Sequence, residues 1–182
     1  MLDFTGVELS SMERAMLDTY LRELETKVHS PERLKALYGS HFYEATIRDK
    51  LNSICATAAQ MLDAPFASVN MIEADAQVRI ATFGGRGPER VEFDRSYCQH
   101  VVGLERDLSV DDALTHALVC DLLSTTTEGG IRSYLGVPLI TSNGHVLGAL
   151  CVWDVTQRQW NEAHVSMLTS LAVVIMRFEG EM

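Results

Sequence analysis

The chain has 182 residues, enough for one domain with a sizeable core plus an extra helical segment. Apolar residues make up 47% and charged residues 22%, a globular composition that excludes overall disorder. The net charge of -10 excludes a nucleic-acid surface, which needs clustered Lys and Arg; the densest basic stretch, Arg86 to Arg95, is interleaved with Glu89, Glu92 and Asp94.

The opening residues lack the basic start and apolar run of a secretory signal. The longest apolar stretch, Leu168 to Met176, is interrupted by Thr169 and Ser170 and is far short of the roughly 20 residues that span a bilayer. The expectation is a cytoplasmic protein without a membrane partner. Cys55, Cys98, Cys120 and Cys151 are scattered without CxxC spacing, which argues against structural zinc and for free, mostly buried thiols.

From Ser10 to about Val28, apolar side chains at Met12, Met16, Tyr20, Leu24 and Val28 recur every four residues, and Leu9, Leu17 and Leu21 widen the stripe. Ser10 or Ser11 caps this helix and His29-Ser30-Pro31 stops it. A short helix follows from Pro31 and closes at Gly39. A second long helix is predicted from Tyr43 to Leu62, with Ile47, Leu51, Ile54/Cys55, Ala58 and Met61/Leu62 at helical period.

The pattern then turns to strands at Phe66 to Ile72 and Ala76 to Phe83, before a loop with Gly84, Gly85, Gly87 and Pro88. Phe93 to Val102 reads as a short helix with Asp94 and Ser96 as caps. Leu108 to Asp112 is a brief strand, Thr115 to Leu123 helical or irregular, and Thr125 to Gly130 a loop. Strands at Ile131 to Ile140 and His145 to Trp153 are joined by Ser142-Asn143-Gly144, a strong hairpin signal. A last amphipathic helix runs from Asn161 to about Phe178.

This order predicts an α+β domain: an antiparallel sheet with the flanking helices on one face and irregular segments over the other. Residues 84 to 130 are too many for a mere connection, so they should form a lid or pocket wall. Residues 1–42 read as a helical extension suited to dimerisation, and 43–182 as the domain proper.

Several runs in this order resemble the GAF domain family. Phe93-Asp94-Arg-Ser96-Tyr97-Cys98-Gln-His100 is similar to its pocket-lining helix, and Leu108-Ser-Val-Asp111-Asp112-Ala follows at the expected distance. Ile131 to Leu139 resembles its central strand; Asn143-Gly144 and Leu147 to Asp154 resemble its closing hairpin. The resemblance spans roughly Tyr43 to Phe178. It implies a six-stranded antiparallel sheet, helices on one face and a ligand cavity on the other. It does not fix a ligand, since the family hosts cyclic nucleotides, haem, bilins, metabolites or nothing. GAF modules commonly sit beside output domains. Here the last helix nearly reaches the chain end, so either a separate signalling partner is implied or the chain is a fragment.

The expected ligand-binding residues are Tyr97, Cys98, Asp111, Arg132 and Tyr134. Arg132 and Tyr134 alternate on one strand face and suit a carboxylate or phosphate ligand if that face is the cavity side; otherwise Arg132 pairs with Asp111 or Asp112. Of these two aspartates, either both serve a cation or polar ligand, or one caps the turn at Ala113-Leu114 and the other is solvated. Cys98 and His100, two apart on a helix, point in different directions, which weighs against a shared metal or haem. Asn70 and Arg79 are weaker polar candidates. Cys98 and Cys120 resemble two cysteines of the family's free methionine sulfoxide reductases, but the third, about ten residues before Cys98, is missing.

The favoured expectation is therefore a sensory module, not an enzyme, binding a small polar ligand and dimerising through its terminal helices, with no required cofactor or metal. A ligand-free dimerisation scaffold and a thiol-dependent reductase or redox sensor are the alternatives.

Overall fold

The computed structural model describes residues 10–85 and 88–180; Leu9, Arg86 and Gly87, used in the expectations above, lie outside them. Helix α1 (Ser11–Val28) opens with a capping box in which Ser10 and Glu13 satisfy each other's amide groups. Helices α2 (Pro31–Tyr38) and α3 (Ala45–Met61) follow, then strands β1 (Phe66–Ile72), β2 (Gln77–Phe83) and β3 (Arg90–Val91). The middle of the chain carries α4 (Cys98–Leu104), β4 (Leu108–Val110) and the single turn α5 (Leu123–Thr126). Strands β5 (Ser133–Ile140) and β6 (Val146–Asp154) and helix α6 (Glu162–Gly180) complete the domain.

The strands form one antiparallel sheet in the order β3-β2-β1-β6-β5-β4. Alternation sorts their side chains between two cores. Ala67, Val69 and Met71 of β1, Leu135, Val137 and Leu139 of β5, and Leu150 and Val152 of β6 pack against Leu51, Cys55 and Ala58 of α3 and Leu168, Ala172 and Ile175 of α6. Tyr134, Ala149 and Cys151 face the other way, against Cys98, Val101 and Val102 of α4. The segment from Tyr97 to Leu122 thus does fold back over the second face. The expected sixth strand is β3, only two residues long and set in the predicted loop region; the Arg79 N–H reaching the Glu89 carbonyl at 2.7 Å extends its pairing.

Helix α1 does not join α6. It lies outside α4, with Leu24 and Val28 in the α4 core, so α1 and α6 occupy opposite sides of the sheet. Only the later part of the predicted four-residue stripe is buried: Met12 and Met16 are 74% and 67% exposed, while Leu24 and Val28, with Leu17 from its flank, are buried. Each four-residue step overshoots a helical turn by about 40°, so such a line winds around the helix, whereas steps of four, three and four through Leu17, Leu21, Leu24 and Val28 stay on one side. Lys27 Nζ fastens the junction, donating to the Gly103 carbonyl at 3.0 Å and to Glu105 at 2.9 Å. The buried Arg33 guanidinium donates from Nε to the Val28 carbonyl at 3.0 Å, satisfying the end of α1.

Candidate functional site

A cleft of about 500 Å³ opens above the lid-facing side of β1, β2 and β6. Its floor is built by alternation: Ser68 and Asn70 from β1, Gln77 and Arg79 from β2, and Trp153 from β6. A bulge sharpens the β2 contribution. Asn70 pairs with Arg79 but Val69 pairs with Ala81, so Ile80 is an extra residue. Ile80 and Ala81 both enter the core while Arg79 stays on the cleft side, a re-aiming typical of bulges. Pro88, Val91, Arg95, Ser124 and Ile131 form the walls. The Trp153 indole stacks on Phe66 with centroids 3.9 Å apart, which fixes an aromatic face at one end.

The polar floor is a continuous network. Gln77 Nε2 donates to Asn70 Oδ1 at 3.2 Å, and Ser96 Oγ donates to Gln77 Oε1 at 2.8 Å. Asn70 Nδ2 lies 2.9 Å from Ser68 Oγ and 3.4 Å from the sulphurs of both Cys98 and Cys151. On the wall, Ser124 Oγ donates to the Arg95 carbonyl at 2.9 Å, tying α5 to the segment before α4. The lining holds two guanidinium groups, two amides and two hydroxyls, and no carboxylate among the described residues. Such a set suits a small anion with an apolar part.

Of the residues anticipated for ligand binding, Tyr97, Cys98 and Tyr134 are brought together but lie beneath this floor, each no more than 2% exposed. Cys98 Sγ is 3.2 Å from the Tyr134 hydroxyl, and the Tyr97 and Tyr134 rings are 5.0 Å apart. The Tyr97 hydroxyl bonds Thr125, which in turn donates to the Val119 carbonyl at 2.6 Å. Burial pushes the Tyr97 phenol up to about 12 and Tyr134 well above its ordinary range, so both act as neutral hydroxyls.

His100 turns away from Cys98, as their spacing requires: its Nδ1 meets the Tyr20 hydroxyl of α1 at 3.0 Å, and the ring is 3% exposed. Burial lowers its pKa to about 4.

The family model of the GAF domain matches residues 46–177. The chain belongs to the GAF domain family. In a search of curated proteins nothing matches the sequence significantly. Among solved structures, the GAF domain of an Acinetobacter phosphoenolpyruvate-protein phosphotransferase is 18% identical with a TM-score of 0.62, covering 94% of this chain and 95% of that one. A type II free methionine-R-sulfoxide reductase from Thermoplasma acidophilum is 14% identical with a TM-score of 0.62, over 75% of this chain and 94% of its own. A free methionine-R-sulfoxide reductase from Neisseria meningitidis is 18% identical with a TM-score of 0.58, covering 94% and 93%. At these identities the likeness is one of fold, shared by sensors and enzymes alike.

Within this GAF domain, Asp111 and Arg132 are engaged away from the cleft. Arg132 Nη2 lies 3.0 Å from Asp112 Oδ1, with Nε at 3.3 Å. Asp112 also accepts from the Leu114 N–H at 3.2 Å and from Gln157. Burial opposes the Asp112 charge, but the Arg132, Leu114 and Gln157 hydrogen bonds outweigh it and hold the carboxyl below its usual range. Asp111 accepts from the Trp160 N–H at 3.0 Å, anchoring the loop into α6. Of the paired alternatives for Arg132, the geometry takes the ion pair. Asn70 and Arg79, the weaker polar candidates, are on the floor itself.

Ser68, Gln77, Arg95, Trp153 and Cys151 were not singled out by sequence. The alternation of β1 and β6 was the signal for Ser68 and Trp153, since residues two apart from Asn70 and Cys151 share their face. Gln77 and Arg95 gave no separate signal. Among the described residues no group of three or more His, Cys, Asp or Glu side chains converges as a metal site, and no helix is long and apolar enough to cross a membrane.

Proposed function

We propose that this GAF domain is a sensory module that binds a small anionic molecule in the cleft above β1, β2 and β6. The observation that carries the reading is the placement of Arg79 and Arg95 around one polar floor, with an indole at its edge and no lining carboxylate among the described residues. The ligand's anionic group meets the guanidinium groups, Asn70 and Gln77 orient it, and its apolar part lies against Trp153. Binding biases the wall segments, because Ser96 holds Gln77 and Ser124 holds the Arg95 backbone.

The same proposal has the domain working as a cytoplasmic homodimer without catalysis. An apolar groove between Pro138 and Ile140 of β5 and Ala172, Val173 and Met176 of α6 supports pairing through α6, and Val173 is 50% exposed. A signalling partner reads the change through the paired helices.

Thermal denaturation against low-mass carboxylates and phosphates, each beside its neutral amide or ester, tests the reading. An anion at a hundred times its Kd should raise Tm by about 5–10 °C while its neutral counterpart does not. Equal responses to charged and neutral members, or none to any anion, contradict it.

A further inference from the structure

Cys98 begins α4 and Cys151 lies in the middle of β6, yet their sulphurs are 3.9 Å apart. The ligand reading uses neither. Of the other thiols, Cys55 belongs to the α3 core on the opposite face, and Cys120 lies in the lid chain. The two sulphurs lie just under the cleft. Ser68 and Asn70 line the cleft, Ser68 Oγ is 3.3 Å from Cys151 Sγ, and Asn70 Nδ2 is 3.4 Å from each sulphur.

We propose that Cys98 and Cys151 are a redox-reactive pair that closes to a reversible disulfide when a hydroperoxide enters through the cleft. The two groups come from elements far apart in sequence, yet the fold brings their sulphurs to 3.9 Å, so that closing to a bond needs a movement of about 2 Å. Both sulphurs have polar neighbours: the Asn70 amide donates to each at 3.4 Å, the Ser68 hydroxyl is 3.3 Å from Cys151, and the Tyr134 hydroxyl is 3.2 Å from Cys98, whose thiol donates to Cys151. Such neighbours stabilise negative charge on a buried sulphur. The hydrogen bond it donates to Cys151, together with burial, pushes the Cys98 thiol up, and the same bond favours a thiolate at Cys151, the attacking sulphur in this proposal.

The chemistry balances with the peroxide as the two-electron oxidant. The Cys151 thiolate attacks one peroxide oxygen and the O–O bond breaks. Hydroxide leaves and takes up the proton that Cys151 released, forming water, and Cys151 becomes a sulfenic acid. The Cys98 sulphur then attacks the Cys151 sulphur. The S–S bond forms, the S–O bond breaks, and the departing hydroxide takes the Cys98 proton as a second water. An organic hydroperoxide gives one alcohol and one water.

Closing the gap to a disulfide bond of about 2.05 Å draws the start of α4 toward β6. Ser96, two residues before Cys98, holds Gln77 on the cleft floor, so oxidation is transmitted to the floor. The pair's chemistry is independent of whether the cleft takes an anion.

The test uses the full chain, reduced and freed of reductant, treated with hydrogen peroxide, alkylated and digested. Titratable thiols in denaturant should fall from four to two, and a Cys98–Cys151 linked peptide pair should appear and vanish with dithiothreitol. Cys55→Ser and Cys120→Ser should retain the link, whereas Cys98→Ala and Cys151→Ala should each abolish it. If the last two variants do not fold, the wild-type peptide map decides alone. Four persisting thiols, a link from Cys98 to Cys120, or direct passage of both sulphurs to sulfinic acid overturns the proposal.

Discussion

Arg132 places Nη2 3.0 Å from Asp112 Oδ1, so a guanidinium anticipated for a ligand fastens the loop after β4 to the start of β5. Both side chains keep partial exposure, 31% and 22%, so the pair is partly screened by solvent. Arg132→Ala is expected to cost about 1 kcal/mol, read by urea denaturation, and to leave anion binding in the cleft within twofold. A tenfold loss of binding without loss of stability would return Arg132 to the site.

Arg79 and Arg95 should behave in the opposite way. Each Arg→Gln change removes a charge-assisted hydrogen bond to the ligand, worth about 1.5–3 kcal/mol, so affinity should fall by roughly 10- to 150-fold. Calorimetric titration with the best anion from the thermal panel measures this. Unchanged affinity in both variants contradicts the placement of the anion.

How far the sequence was legible depends on the kind of signal. Periodicity marked α3, β1, β5, β6 and α6 because each buries one face over several residues. Two-residue β3 has no period to read, and its pairing comes from backbone groups. The motif around Tyr97 and Cys98 pointed to the correct layer but not to the surface. A short helix turns one side to the sheet and the other to α1, and Cys98 takes the first while His100 takes the second. Arg132 was misplaced beside Tyr134 because the strand begins only at Ser133, so its side chain is free to turn toward Asp112. The bulge that aims Arg79 into the cleft is set by pairing between β1 and β2, which single-strand alternation does not contain.

Stability should fall on mild acidification because of His100. Its folded pKa is about 4 against an ordinary 6.5, so below pH 6.5 the unfolded chain binds a proton that the folded chain does not. The contribution is complete above pH 6.5 and is lost as pH falls toward 4, by about 3 kcal/mol at the lower end. His116, lowered by burial too, acts in the same sense. Denaturant midpoints between pH 7 and pH 4.5 should drop less steeply in His100→Gln than in the wild type. Identical slopes contradict the assignment.

The contact between α1 and α4 depends on a missing side chain. A Cβ on Gly103 would lie 2.3 Å from Leu24 Cδ1 and 3.3 Å from Leu24 Cβ and Cγ. Gly103→Ala is therefore expected to cost about 1–3 kcal/mol by overpacking, and Leu24→Ala about 2–4 kcal/mol by leaving a cavity. In the double variant the two losses should sum to less than their separate values, as equilibrium unfolding can show. Simple additivity would mean that α1 adjusts without strain.

Pairing through α6 predicts that Val173→Glu gives a monomer. Analytical ultracentrifugation at micromolar concentration should show the sedimentation coefficient falling to the monomer value, with the thermal response to the anion retained. A wild type that is itself monomeric over the same range contradicts the dimer.

The most direct measurement is a backbone amide shift map of the isotope-labelled protein titrated with the anion that most stabilises it. Perturbations are predicted to centre on Ser68, Asn70, Gln77, Arg79, Ser124 and Trp153. If they instead gather along α1 and the outer side of α4, or scatter without a centre, the cleft is not where this domain holds its ligand.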